Sequence, residues 1–236
     1  MSKYPKIKEN RITELYECYG HFYTLKLDKN IKIKCRSVLE IVQKPFRNDP
    51  KLLSLATPNA IVIMMNPGKS EPNLTLINNY QEEKIPFNNF MINFRIKRLD
   101  PTKPDPTTKK IIKVMNVLKW KHVRILNLSD IREEKSPFLK NHLSHFGDSS
   151  SIIHHSIFSD IRLEERKNAF CWNIENIPVI VGWGAQECLS KISRYAENEI
   201  RNHTTNFFGI HNHDSFYLHP GRAQNWHDNI INQIIA

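Results

Sequence analysis

Ala60-Ile-Val-Ile-Met-Met65 is apolar at every position, without the period-2 alternation of a strand that has one wet face. Such a run needs cover on both sides, and a parallel sheet layered between helices supplies it. His122-Val-Arg-Ile-Leu-Asn-Leu128, Pro178-Val-Ile-Val-Gly-Trp183 and the shorter Ser215-Phe-Tyr-Leu218 read the same way. Helical stripes lie between them. Ile111, Ile112, Met115 and Leu118 share one helical face behind the start signal Asp105-Pro106-Thr107. Ala185, Cys188, Leu189, Ile192 and Ala196 form a second stripe, Ser159 to Trp172 predicts a third helix, and Trp226 to Ile235 a fourth. The alternation predicts an α/β fold with a mainly parallel central sheet of about four strands flanked by helices.

Residues 1–58 read as a basic N-terminal extension packed on the core of a 59–236 domain. Within it, Phe22 to Leu27 and Ile31 to Cys35 flank Asp28-Lys29-Asn30 and predict a hairpin. The stretch 69–104 has no glycine, four prolines and no clear period, which predicts a long functional loop.

Lysine and arginine number 34 against 24 acidic residues, a net charge of +10 that points to a polyanionic partner such as nucleic acid, although a solvated, Lys-rich surface gives the same number. The four cysteines, at 18, 35, 171 and 188, form no Cys-x-x-Cys pair, which argues against a zinc site and a disulfide framework. No apolar run approaches the ~20 residues of a spanning helix, and the polar, basic Met1 to Arg11 does not resemble a secretory signal. The expectation is a cytoplasmic monomer that needs no metal or other cofactor and no membrane.

Ligands of a parallel α/β sheet bind outside the carboxyl ends of its strands. Those ends carry Asn66-Pro67-Gly68, Asn127, Trp183-Gly184 and His219-Pro220-Gly221. Two amides, a histidine and three glycines converge on one rim. The run Met65-Asn-Pro-Gly68, Asp105-Pro-Thr107, Leu126-Asn-Leu128, Gly182-Trp-Gly184 and His219-Pro220 resembles a bacterial domain family long labelled as of unknown function. More distantly it resembles the uracil-DNA glycosylase superfamily, with Asn-Pro-Gly as in the mismatch-specific branch, over about residues 60–236.

The resemblance implies that Asn66 positions a water, that Asn127 reads the polar edge of a flipped pyrimidine, and that His219 bonds the base and stabilises its departing anion. Asn suits the first task only in part, since its carbonyl orients a water but cannot take its proton. Asp105 is placed to cap the helix behind it and to supply, near the sugar, the negative charge that Asn66 lacks. Pro67, Gly68 and Trp183 complete the substrate rim, with Phe87 and Phe90 as candidates for stacking on the base. Lys69, Arg95 and Arg98 give the 69–104 stretch charge to track a DNA backbone. Gly221-Arg222-Ala223-Gln224 stands where the superfamily has a Ser and an apolar wedge after His-Pro, and Arg222 is placed to plug the vacated stack or grip phosphate.

These implications add up to a monofunctional DNA glycosylase, since the Asn66 tag lacks the lysine that a lyase would use. The long 69–104 stretch suits a bulky modified pyrimidine, such as a hypermodified phage cytosine removed in antiviral defence. Two alternatives stand beside it: a non-catalytic nucleic-acid-binding module, and an N-glycosidase of free nucleotides or nucleosides.

Overall fold

The computed structural model describes residues 4, 7–27, 29–87, 96, 98–146, 154–172 and 176–236. The apolar run forms strand β3 (Ala60–Met64), buried at every position. Alternate residues of β3 face two separate cores. Val62 and Met64 pack with α1 (Glu9–Leu15), α2 (Pro106–Leu118) and α6 (Trp226–Ile235), through Ile12, Ile111, Met115, Trp226 and Ile230. Ile61 and Ile63 pack with α3 (Ser136–Ser144), α4 (Leu163–Phe170) and α5 (Ser190–His203), through Leu139, Phe170, Ile192 and Ala196. The sheet is thus the middle layer of three, as the uninterrupted apolar run requires.

The sheet is larger and more mixed than the sequence pattern suggests. Besides β3, its strands are β1 (Tyr16–Lys26), β2 (Lys32–Gln43), β4 (Glu83–Pro86), β5 (Asp100–Thr102), β6 (His122–Asn127), β7 (Val179–Gly182) and β8 (Phe207–Gly209). The order is β4-β1-β2-β6-β3-β7-β8, with β5 also on β1. β6, β3, β7 and β8 form a parallel block, and β4 pairs parallel with β1 at the other edge. β2 pairs antiparallel with both β1 and β6, and β5 antiparallel with β1. The predicted mainly parallel sheet is therefore corrected to a mixed one. β2 runs antiparallel to β6, so the predicted hairpin, longer than expected, continues the sheet.

Two further expectations change. Ser215 to Leu218 is not the fourth parallel strand; β8 takes that place, and Tyr217 makes only isolated bridges to Gly184 and His211. The 69–104 stretch is not one open loop, because β4 and β5 add to the edge of β1.

The chain leaves β3 through α2 to reach β6 on one side, then returns through α4 to β7 on the other. The exit of β3 leads to α2 on one face, whereas the exits of β6 and β7 lead to α3 and α5 on the other, and a crevice opens at the carboxyl ends where they part. Register sets what stands there. Met64 pairs with Asn127 on one side and Gly182 on the other. The exit loops of β3 and β6 stay zipped beyond the sheet, with Leu128 and Ser129 N–H donating to the carbonyls of Met64 and Met65. Among the described residues no helix is long and apolar enough to cross a membrane.

Candidate active site

A cavity of about 380 Å³ opens at this crevice, and its wall includes Asn66, Pro67, Gly68, Lys69, Asp105, Asn127 and His219. Residues 153 positions apart in the chain (219 − 66) therefore meet around one space. Each is held by a distinct local device.

Asn66 follows β3 in a turn that Gly68 completes at φ +59°, a conformation that glycine adopts without steric cost. The Asn66 Nδ2 donates to the backbone carbonyls of Ile131 and Glu133. Both amide protons are thereby committed, and the carbonyl oxygen is the part of the side chain left for a ligand or water.

Asp105 caps α2: its Oδ1 accepts from the Thr108 N–H at 2.7 Å, and Pro106 follows at the first helical position. The cap brings its carboxylate to the cavity wall. The predicted capping role is thus observed, and the residue also faces the site.

Asn127 ends β6 and is completely buried, yet neither Oδ1 nor Nδ2 has a hydrogen-bond partner among the described residues. A buried amide normally satisfies both atoms, because an orphaned polar group costs about 1–3 kcal/mol. An amide left open on a cavity wall is what a ligand's donor–acceptor edge would complete.

His219 lies on a strap tied to the sheet and to α2. Gly184 N–H donates to Tyr217 O at 2.7 Å, Trp226 Nε1 to Leu218 O at 3.0 Å, and Lys110 Nζ to Pro220 O at 2.5 Å. Burial pushes the His219 imidazole down to about 4; Asp105 opposes this, and Arg222 and Lys110 reinforce it. The ring is neutral at pH 7.

The other sequence candidates are placed elsewhere or are already engaged. Trp183 is 1% exposed, donates Nε1 to Ser215 O at 2.7 Å and meets Tyr217 edge-on, so it anchors the core and does not line the cavity. Phe87 packs on His154 and Phe146, with ring centroids 4.0 and 6.2 Å away, and is also off the cavity. Arg98 pairs with Asp100 and lies over the Tyr80 ring. Lys69 stands at the cavity but pairs with Glu134 at 2.7 Å. Arg222 is exposed beside the strap, its N–H donating to His219 O. Phe90 and Arg95 lie outside the described residues. Of the described residues in 69–104, only Lys69 reaches the cavity.

Sequence reasoning missed Arg36, which lines the cavity from β2 and is 3% exposed. The alternation Lys32, Lys34, Arg36 assigns it to the solvent face. That face is wet at Lys32 and Lys34 but covered from Arg36 onward. Among the described residues, no group of three or more His, Cys, Asp or Glu side chains could hold a metal ion. The chain matches no family model, no curated protein and no solved structure.

Proposed function

We propose that the chain is a monofunctional DNA N-glycosylase that seats a flipped pyrimidine in this cavity and hydrolyses its glycosidic bond. The observation that carries the reading is the single cavity at the carboxyl ends shared by Asn66, Asp105, Asn127 and His219. Glycosidic cleavage develops positive charge on the sugar and negative charge on the base. A protein that catalyses it must orient a water, offset the sugar's charge and accept the base as an anion.

The four side chains divide this work. The Asn66 carbonyl, left open by its two committed N–H groups, orients water. The Asp105 carboxylate opposes the oxocarbenium charge. Asn127 reads the base edge with one donor and one acceptor. The neutral His219 donates a hydrogen bond to the departing base, a preorganised interaction worth about 10²–10³ in rate. The net charge of +10 supports DNA, over a free nucleoside, as the carrier of that base.

A cavity of ~150 Å³ is enough for a six-membered ring, so about 380 Å³ leaves space beyond it. This space supports a pyrimidine with a bulky C5 substituent, and hypermodified phage cytosines in antiviral defence are the proposed substrates. The test is incubation with unmodified, uracil-containing and phage-modified DNA, scored as alkali-labile abasic sites. Abasic sites in the modified DNA support the reading; their absence from all three, with DNA still bound, favours a binding module instead.

A further inference from the structure

Four arginines are buried among the described residues: Arg36, Arg124, Arg162 and Arg166. Three are held by contact ion pairs with protein carboxylates, although the Arg166 Nε is itself without a partner. Arg124 pairs with Glu40 and donates to the carbonyls of Leu53, Ala56 and Ala169. Arg162 pairs with Asp130 and Glu165, and Arg166 with Glu199 and the carbonyls of Ile157 and Ser159. Arg36 differs. Its Nε is buried without a partner, and its guanidinium makes no contact ion pair or side-chain hydrogen bond with any described residue; its counter-charges, Asp105 first and then Asp130, act on it only through space.

A buried guanidinium whose donors meet no acceptor is costly even with counter-charges nearby, and such an orphan persists where something outside the fold completes it. Arg36 and Asn127 line the same cavity, so the two orphaned polar side chains face one space. That space is not built for a strong anion. Asp105, Glu133 and Glu134 also line it, and a phosphate would meet their carboxylates. A neutral ring with carbonyl oxygens suits the set better, because it satisfies guanidinium donors without adding a full negative charge.

We infer that Arg36 is a substrate-binding residue, donating to a ring carbonyl of a 2-oxopyrimidine whose neighbouring edge is read by Asn127. The inference rests on the glycosylase reading for its choice of a pyrimidine, and it makes the N-terminal hairpin part of the site. Arg36 enters through β2, and the Arg36 N–H donates to Asp130 O at 2.8 Å where the exit of β6 passes.

The test is ligand-observed NMR titration of the full chain with deoxycytidine, deoxyuridine, deoxyguanosine, deoxyadenosine and inorganic phosphate, with melting curves for each variant. Wild type should bind the two pyrimidine nucleosides, and Arg36→Met should weaken them by about 10-fold or more. Arg36→Lys should fall between, since it keeps the charge but loses the planar fork. Arg36→Met should melt close to wild type, because it removes a buried guanidinium that makes no hydrogen bond or contact ion pair within the described fold.

Unchanged nucleoside binding by Arg36→Met, or its melting well below wild type, would overturn the inference. So would displacement of the nucleosides by phosphate, tighter binding of deoxyguanosine, or no pyrimidine binding by wild type. Arg36-dependent binding without abasic sites in any DNA would remove the glycosylase reading and leave this inference in place.

Discussion

The Nδ1 of His219 accepts a hydrogen bond from the backbone N–H of Gly221 at 3.0 Å. A backbone N–H can only donate, so the proton of the neutral ring sits on Nε2. The residue that follows the strap's proline thereby fixes which nitrogen of His219 can donate to a ligand. A Cβ at Gly221 would lie 3.0 Å from that Nδ1, so the strap is tight where the tautomer is set.

The first prediction is a pH profile. With His219 already neutral and lowered to about 4, the single-turnover cleavage rate should stay level from neutral pH down to about 5. An acid limb appears only as pH approaches the lowered value, where the imidazole gains its second proton. A limb centred near the unperturbed value of ~6.5 would mean that His219 titrates freely and is not held as a neutral donor.

Asn127→Leu separates stability from binding. The wild-type amide is buried with both polar atoms unpartnered, so an apolar side chain of similar size should hold or raise the melting temperature. Nucleoside binding should fall by ~10²-fold, the order expected for losing two hydrogen bonds of ~1.5 kcal/mol each. A large loss of stability in the melt would show instead that Asn127 ties the fold together.

How far such a site can be read from sequence depends on the signal each residue leaves. Strand-end positions are readable, because an apolar run ends abruptly and the next polar residue lies on the rim; Asn66 and Asn127 were found in this way. The Asp105 cap carries its own local signature in Pro106 and Thr107. The helix Trp226–Ile235 matches its apolar pattern to the residue. Trp183 misleads, since a tryptophan at a strand end looks like a binding surface, yet its indole finds Ser215 O and the core. Arg36 was invisible because its burial depends on what α2 and the β6 exit place over it. That is a tertiary fact with no local trace. The mixed sheet was hidden for the same reason: nothing in Lys32–Gln43 announces that this strand pairs antiparallel with β6.

The seam between hairpin and parallel block gives a third prediction. Glu40 on β2 is fully buried, and its carboxylate meets Arg124 Nε at 2.7 Å and His122 Nε2 at 2.8 Å on β6. Glu40→Ala leaves Arg124 buried without its counter-charge and should cost about 3–5 kcal/mol. Urea unfolding at pH 7 checks it. A loss below ~1 kcal/mol, the range of an exposed pair, would mean that water reaches this seam.

The most direct measurement is the yield of alkali-labile abasic sites from phage DNA carrying C5-modified cytosine, wild type against Asn66→Ala, at equal DNA occupancy. Asn66 acts on water in the transition state and not on DNA affinity, so the variant should bind normally and cleave ~10²-fold or more slowly. Abasic sites formed by wild type and lost with Asn66→Ala are the predicted result. Equal yields from the two proteins, or none from wild type while it holds the DNA, would contradict the account.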